Sequence, residues 1–485
     1  MELPLDVLVI VGQYAVTNLV DLRTLTCAGL REALSHPRAL AYVQLGHTRP
    51  EDLFELKCLT AKQLSGVRRL KFEFSGDGVD LRRLVQALPA LRELDLGRTF
   101  LSTTDFLAGW PHLRTLRLTN CSTCSPFVGS LRSLDMLNCG PVAGDLGGLQ
   151  TLKLHGCFIT GITRMSPTLR SLDLRNAQWE SVGAGASVGW TLDRLYELSS
   201  LRELRLFHCN SLQNDNAAGI RGMKGLHTLS LIECFNLSDF SFLQALPNLR
   251  SLTAPCNFDF SVLSYLDLES LTFPYVSMHT DNLAFNLSLI GSQTNLKLLS
   301  VGLGWHSSTH DTFDPSPVLY ELLPKLPLLH TLDVPNWTTL QFLPVCPSVK
   351  QLMVDNCEGI LDNELFMLGV SFPNLEALSV SRTGITDVGL AVLHSNLPHL
   401  KHLDISRCAV SEEGVKGLRR IAGLKSLDIS ECGVMPLLVP ETVKLLGMNN
   451  FGVLDRASWS ALQARGVELV DSRTFRAKLA AEAFQ

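Results

Sequence analysis

The sequence lacks the features that mark several large functional classes. Its charges nearly balance, since 42 Lys and Arg residues stand against 47 Asp and Glu residues and give a net charge of −5. General nucleic-acid binding, which usually needs a strongly basic domain or stripe, is therefore disfavoured. The sequence also lacks an apolar run of the roughly 18 residues that a transmembrane helix requires, so no membrane span is expected.

The N-terminal stretch lacks the basic segment with which a secretory signal begins. Glu2 and Asp6 precede or open the first apolar run, and no Lys or Arg occurs before Arg23. We therefore expect no export. The 13 cysteines, an odd number, are then expected to be free thiols in a reducing compartment, the cytoplasm or the nucleus.

Catalytic and cofactor-binding motifs are also missing from the sequence. The strand-like VLVIVG is followed by Gln13, so the glycine spacing of a dinucleotide-binding loop is not formed. No G-x-S-x-G, Walker loop or H-E-x-x-H occurs. The pair Cys121 and Cys124 has no second CxxC, and His306 and His310 lie in a Gly- and Pro-bracketed stretch that favours a solvated loop. The sequence predicts no enzyme activity, no metal site and no cofactor.

What the sequence does contain is an internal repeat. LRELDLGRT, LRTLRLTNC, LRELRLFHC and LKHLDISRC are copies of one pattern, LxxLxLxx followed by Cys, Asn or Thr, which resembles the leucine-rich repeat. Seventeen copies begin at Val67, Leu91, Leu113, Leu131, Leu149, Leu169, Leu201, Leu226, Leu249, Leu268, Leu296, Leu329, Val349, Leu375, Leu400, Leu424 and Val443. Residues four and six of each copy are expected to point inward from a short strand that pairs with the strands of neighbouring copies. The predicted fold class is α/β, a leucine-rich-repeat solenoid shaped as a horseshoe with a parallel sheet on its concave face.

The spacing between copies predicts the convex segments. Between Leu375 and Leu424 the copies are 24 or 25 residues apart, which leaves room for a helix that Thr386 caps. Between Leu113 and Leu149 the spacing drops to 18 residues, where extended or single-turn segments are expected.

Four further segments lie outside this regular spacing. Two long intervals contain Gly-, Ser- and Trp-rich loops, at 177–190 and 302–319, which are candidate accessory contacts. After the last copy, LDRASWSALQARGVELVDS predicts a helix and then a short strand that caps the sheet edge. Residues 472–485 are expected to form a short helix or a loose tail.

Residues three, five and seven of each copy are predicted to point into the concavity. Basic residues dominate the early copies and acidic residues the later ones. This segregation of sign points towards a partner-binding surface, and a merely solvated polar face is the alternative. The predicted partner-binding residues are Arg117, Lys153, His155, Arg175, Arg205, Phe207, Asp333, Asp355, Asp404 and Asp428. Asp95, Asp135 and Asp173 lie among the early basic residues, and either weaken their field or pair with them.

The opening stretch, LPLDVLVIVGQYAVTNLVDLRTLTCAGLREALSHPRAL, resembles an F-box over about 40 residues. TGITDVGL and CAVSEEGV are similar to the cysteine-containing repeats that F-box proteins commonly carry. The resemblance implies a small all-helical module that docks on a Skp-type adaptor, and so on a cullin–RING ligase, while the repeats hold a substrate for ubiquitylation. The adaptor-binding residues that it implies are Leu3, Pro4, Leu8, Ile10, Leu22 and Leu25.

The predicted domains are an F-box-like helical module (1–45), a helical linker (46–66), the solenoid (67–451) and a C-terminal cap and tail (452–485). The predicted function is that of a substrate-recognition subunit of an SCF-type ubiquitin ligase, whose partners are the Skp-type adaptor, the cullin ligase and a protein substrate. The alternative is a non-catalytic scaffold in a stable multiprotein assembly, in which the N-terminal helices only cap the first repeat.

Overall fold

The computed structural model describes residues 42–46, 67–76, 85–86, 88–99, 109–121, 130–179, 192–276, 283–303, 316–337, 340–341, 343–449 and 456–482. The chain divides into two compact units, which we call the N-terminal unit (Met1–Leu237) and the C-terminal unit (Ser238–Gln485). The six implied adaptor-binding residues lie outside the described residues, as do His306 and His310.

The described part of the N-terminal unit contains two parallel sheets. Its strands are β1 (Tyr42–Gly46), β2 (Arg69–Gly76), β3 (Glu93–Thr99), β4 (Thr115–Thr119), β5 (Ser133–Leu137), β6 (Val142–Leu146), β7 (Thr151–His155), β8 (Phe158–Met165), β9 (Ser171–Arg175), β10 (Gln178–Trp179), β11 (Glu203–Phe207) and β12 (Thr228–Ile232). The main sheet has the order β1-β2-β3-β4-β5-β7-β9-β11-β12. The second sheet has the order β6-β8-β10.

The C-terminal unit has a single parallel sheet in its described residues, with its strands in chain order. The strands are β13 (Ser251–Thr253), β14 (Ser270–Val276), β15 (Leu298–Leu303), β16 (Thr331–Asp333), β17 (Gln351–Met353), β18 (Ala377–Ser379), β19 (His402–Asp404), β20 (Ser426–Asp428), β21 (Leu445–Gly447) and β22 (Glu468–Val470).

Helical segments connect the strands. The α-helices are α1 (Asn214–Ala217), α2 (Leu283–Leu289), α3 (Ser316–Leu322), α4 (Asp362–Ser371), α5 (Asp387–Asn396), α6 (Glu412–Gly417), α7 (Arg456–Ala464) and α8 (Ser472–Glu482). The 3-10 helices are Leu192–Glu197, Ala218–Gly222, Ser241–Ala245, Phe260–Tyr265, Ile290–Ser292, Leu323–Lys325, Leu418–Arg420 and Pro436–Leu438.

The repeat pattern determines the strands. One main-sheet strand begins at position three of each of the seventeen predicted copies, from β2 at Arg69 to β21 at Leu445. In the copy that begins at Leu201, the residues at positions one, four and six are 0% exposed, and Leu204 aligns with Leu229 of the next copy. Because burying one leucine contributes about 1.5–3 kcal/mol, the stacked leucines are the main stabilising element of the main sheet in each unit.

A tight turn follows the strand at position eight of the copies. This residue has a positive φ, between 49° and 65°, in ten copies where it is not glycine. Five of the ten are asparagines, which tolerate the left-handed conformation better than most residues: Asn120, Asn138, Asn176, Asn336 and Asn356. The turn positions residue nine, where the cysteines recur, beneath the sheet.

The convex segments follow the predicted spacing. Helices α4, α5 and α6 lie in the wide intervals, and the Thr386 hydroxyl caps α5 by accepting a hydrogen bond from the Val388 amide at 3.2 Å. In the 18-residue interval between Leu131 and Leu149 the convex segment is extended, as predicted, and forms β6. Strand β6 pairs with β8, and β8 with β10, which lie in the next two intervals; the sequence did not predict this second sheet.

The two ends of the main sheets differ in how well they were predicted. The predicted helix and short strand after the last copy are α7 and β22, and β22 pairs with β21. The predicted module boundary at residue 45 falls within Tyr42–Gly46, a strand that pairs with β2. Of the two long loops, only residues 177–179, 302–303 and 316–319 lie in the described part of the chain.

Candidate functional site

The candidate site is the face of each main sheet that carries positions three, five and seven, which we call the front face. These side chains point away from the leucine core because successive residues of a strand alternate between faces. In the N-terminal unit Arg117 and Arg175 are exposed on the front face, and the other predicted residues of this unit are half-buried. All six predicted residues of this unit lie on it, in β4, β7, β9 and β11.

Charges alternate strictly along position five of the N-terminal unit. Pairing in register aligns the positions in the order Lys71, Asp95, Arg117, Asp135, Lys153, Asp173 and Arg205. Each basic residue therefore has an acidic neighbour on the adjacent strand, about 5 Å away. The row was readable from the sequence by taking position five copy by copy.

Ion pairs on this face reduce its positive field. Asp173 is 2% exposed, and its Oδ1 lies 3.0 Å from Arg175 Nε and 3.3 Å from His155 Nε2. Burial opposes ionisation of this carboxyl, but His155 and Arg175 outweigh burial and lower the pKa of Asp173 to about 2. Arg117 Nε lies 3.9 Å from Asp135 Oδ2. The sequence leaves two alternatives for the acidic residues on this face. These contacts support the one in which the basic residues pair with the neighbouring carboxylates.

Position seven of the same strands forms a mixed row of apolar, aromatic and basic side chains. Register aligns Leu137, His155, Arg175, Phe207 and Ile232 on five successive strands. Leu137 is 40% exposed, and Phe207 and Ile232 are half-buried. We call these five residues the contact row. It offers apolar surface beside a cation, which is the composition that protein interfaces favour at their centres.

The later strands of the C-terminal unit have a covered front face. Ala377, Ser379 and Ser381, at positions three, five and seven of one copy, are 2–3% exposed. The cover is helix α8, whose Phe475 and Leu479 pack in one cluster with Ala377 and Val470. Residues 472–485 were predicted as a short helix or a loose tail, and the sequence carried no signal for this packing.

The four predicted acidic residues of the C-terminal unit lie under or beside α8. We call Asp333, Asp355, Asp404 and Asp428 the acidic strip. Arg476 of α8 joins two of them, with Nε 3.0 Å from Asp404 Oδ2 and Nη1 3.3 Å from Asp355 Oδ2. Ser472 Oγ donates to Asp428 Oδ2 at 2.7 Å.

The predicted exposure of the acidic strip was wrong for two of its members. Asp404 and Asp428 are 0% exposed, because α8 lies over them. Burial raises the pKa of Asp333 to about 6, against a hydrogen bond from Ser300, and burial also raises the pKa of Asp355 and Asp428. These carboxylates are not a freely accessible partner surface while α8 is in place.

The cysteines at position nine have a structural role. Each of the eight thiols contacts the carbonyl oxygen of position six in the preceding copy, at 3.0–3.6 Å, and the residues are Cys121, Cys139, Cys157, Cys209, Cys234, Cys357, Cys408 and Cys432. Burial raises the pKa of Cys209 to about 12 and that of Cys234 to about 11, so both thiols stay protonated and can donate. Cys124 lies outside the described residues.

The described residues contain neither a candidate metal site nor a candidate membrane span. They contain no group of three or more His, Cys, Asp or Glu residues placed to hold a metal ion. No helix among them is both long enough and apolar enough to span a membrane.

Comparisons with known proteins agree with this architecture. A family model described as Leucine Rich repeat matches residues 373–393 and 396–418. No curated protein matches the chain. Among solved structures, TLR13 in complex with ssRNA13 is 18% identical with a TM-score of 0.50, over 81% of this chain and 61% of that one. The chain thus spans less than two thirds of the length of that protein.

Two bacterial structures match with lower scores. A leucine-rich-repeat protein of Leptospira interrogans is 16% identical over 91% of this chain and 98% of that one, with a TM-score of 0.35. An internalin, InlF, of Listeria monocytogenes is 14% identical over 86% and 93%, with a TM-score of 0.30. From its repeats, its strand register and the match to TLR13, the chain carries leucine-rich repeats and its described residues adopt the leucine-rich-repeat fold.

Proposed function

We propose that the chain is a non-catalytic receptor that binds a protein partner on the front face of the N-terminal unit. The observation that carries the proposal is the contact row, which is accessible and continuous over five strands. Aromatic and arginine side chains, such as Phe207 and Arg175, contribute disproportionately to protein binding when a partner buries them.

The alternating charges favour a partner with mixed charges. A purely acidic or phosphorylated segment would meet Asp95, Asp135 and Asp173 as well as the basic residues, and like charges in an interface are costly. A partner whose own charges alternate would instead pair with both signs. TLR13 was crystallised with an RNA, but the net charge of −5 and this alternation give no continuous cationic path for a phosphate backbone here.

The finer proposal is the substrate-recognition subunit of an SCF-type ubiquitin ligase. It rests on the F-box resemblance of the first 40 residues, which lie outside the described residues. In this function Leu3, Pro4, Leu8, Ile10, Leu22 and Leu25 bind a Skp-type adaptor, and the front face holds the substrate. The alternative is a scaffold of a stable assembly, which uses the same front face but binds no adaptor.

Adaptor binding distinguishes the two. We expect the full-length chain, purified from a native lysate, to recover a Skp-type adaptor and a cullin, and we expect the variant Leu8→Asp/Ile10→Asp to lose both. Two charges without partners would be buried in an apolar interface, at a cost of several kcal/mol. Quantitative mass spectrometry of the co-purifying proteins measures the loss. Failure of the wild-type chain to recover an adaptor would favour the scaffold.

Charge reversal on the front face tests partner binding itself. We expect Arg175→Glu/Arg205→Glu to lose specific co-purifying proteins at a temperature at which the variant is still folded, since loss of the Arg175–Asp173 ion pair lowers its melting temperature. The matched control is Arg170→Glu/Arg202→Glu, which changes exposed position-two residues of the same two copies. An identical list of co-purifying proteins from both double variants would place binding elsewhere.

A further inference from the structure

Helix α8 binds the sheet in the way a ligand helix would. Phe475 and Leu479, one helical turn apart, pack on the sheet, and Arg476 between them reaches two carboxylates of the acidic strip. The side chain of Arg476 is still 45% exposed, so this contact is open to solvent on one side. The surface beneath α8 therefore recognises an amphipathic helix with an arginine between two apolar residues.

The acidic strip carries more negative charge than α8 neutralises. Arg476 pairs with Asp355 and Asp404, the two middle members of the acidic strip. Asp333 receives a hydrogen bond from Ser300 Oγ, and Asp428 receives one from Ser472 Oγ, so the printed donors to these two carboxylates are neutral hydroxyls. Burial raises the pKa of Asp333 and of Asp428, and the neighbouring Asp404 raises that of Asp428 further.

We propose that the acidic strip and the apolar surface beside it form a docking site for a basic amphipathic helix of a partner protein, and that α8 is its built-in competitor. This site is separate from the contact row and does not depend on adaptor binding. A partner helix with basic residues opposite Asp428 or Asp333 pairs with charge that α8 leaves unmatched. Covalent attachment gives α8 a high effective concentration at this site. The additional ion pairs of the partner helix offset that advantage in binding free energy.

The proposal is tested with the full-length chain and labelled synthetic peptides. The variant Phe475→Asp/Leu479→Asp releases α8, because two carboxylates no longer pack on the apolar cluster. The probe is a fluorescein-labelled peptide with the sequence of residues 470–485, and fluorescence anisotropy measures its Kd. We expect the variant to bind the peptide at least about tenfold more tightly than the wild-type chain does.

Two peptide variants test the chemistry of recognition. A peptide with Arg476→Ala is expected to bind at least about tenfold more weakly, since it lacks the contact with Asp355 and Asp404. A peptide with Ser472→Lys places a cation near Asp428 and is expected to bind about threefold or more tightly. No gain from the added lysine would overturn the proposed basic partner.

The matched control chain is Arg473→Asp/Ala477→Asp, which places two carboxylates on the exposed side of the same helix. It is expected to bind the peptide as weakly as the wild-type chain. Equal binding by both double variants, or no binding by the folded Phe475→Asp/Leu479→Asp chain, would overturn the proposal. Hydrogen exchange of the wild-type chain gives a second test that needs no variant. We expect the amides of α8 to exchange faster than those of β18–β20, and exchange at one common rate would make α8 an integral cap.

Discussion

At the scale of single residues, a cysteine at position nine serves the turn in eight copies of the repeat. The thiol fits beneath the left-handed turn and donates a weak hydrogen bond to a backbone carbonyl of the preceding copy. Recurrence at one position of the copies is therefore a signal for a structural role of these cysteines. The same position can be read from the sequence alone.

Thiol labelling checks this assignment. Cys209 is 0% exposed and its pKa is raised to about 12 by burial, so we expect almost no reaction with iodoacetamide at pH 8 in the folded chain. Cys256 is partly exposed and lies outside position nine, and it is the internal control that should react. Peptide mass spectrometry gives both rates. Similar rates for the two residues would contradict the structural role.

A second prediction at this scale concerns pH and the acidic strip. Burial raises the pKa of Asp333 to about 6, above a value of about 3.9 in an unfolded chain, so the folded state binds the proton more tightly. The free energy of unfolding therefore falls as pH rises from about 4 to about 6, and the loss persists at higher pH. Asn stays neutral and can still accept the hydrogen bond from Ser300.

We accordingly expect Asp333→Asn to stabilise the chain at pH 7.5, by on the order of 1–2 kcal/mol, and to have little effect at pH 4. Urea unfolding at the two pH values measures the difference. Destabilisation at pH 7.5 would show that the negative charge of Asp333 is favourable in the folded state and would contradict the account.

At the scale of elements, neighbouring helices are joined by one recurring contact. Asp362, the first residue of α4, accepts hydrogen bonds from Thr386 N at 2.9 Å and Thr386 Oγ1 at 2.7 Å, at the cap of α5. Asp387, the first residue of α5, accepts equivalent bonds from Ser411 at the cap of α6. Helices α4 and α5 thus fix the starts of α5 and α6, which explains the acidic residue after the cap in TDVGL and the serine cap of SEEGV.

The glycines of these two motifs follow from the same contact. A Cβ at Gly389 would lie 2.4 Å from Asp362 Oδ1, and a Cβ at Gly414 would lie 2.1 Å from Asp387 Oδ1. Real Cβ atoms do not approach oxygen so closely, so only glycine leaves room for the carboxylate. The sequence shows the glycine motif, but the carboxylate that requires the glycine belongs to a residue about 25 positions earlier.

Alanine at two helical glycines gives opposite expected results. Gly389→Ala should destabilise the chain by on the order of 1–2 kcal/mol, because the clash with Asp362 outweighs the gain of about 1 kcal/mol in helix propensity. Gly417→Ala, where a Cβ meets nothing within 4 Å and φ is −57°, should stabilise it by about 0.5–1 kcal/mol. Urea unfolding compares the two. Changes of the same sign would refute the packing argument.

At the scale of the whole molecule, the periodic features were predictable and the non-periodic ones were not. Seventeen strand positions follow from leucines that recur in every copy, because each strand needs only its own pattern and its neighbour's. The packing of Phe475 on Ala377 joins residues about 100 positions apart, and no local pattern encodes such a pair. The burial of Asp404 could not be foreseen for the same reason.

The described repeats fall into two compact units. Each unit contains consecutive repeats whose main-sheet strands pair in parallel in its described residues. That residues 67–451 form one solenoid stays a prediction, and so does the helical module of residues 1–45, apart from its overlap with β1.

Site-specific photo-crosslinking in cells tests whether a protein partner binds the contact row. A photoreactive phenylalanine analogue replaces Phe207 on the front face in one chain and Tyr196, a 60% exposed aromatic residue of the 3-10 helix Leu192–Glu197, in the other. We predict a covalent adduct with a specific protein from position 207 that position 196 does not give. The same adducts from both positions, or a specific adduct from position 196 alone, would contradict binding at the contact row.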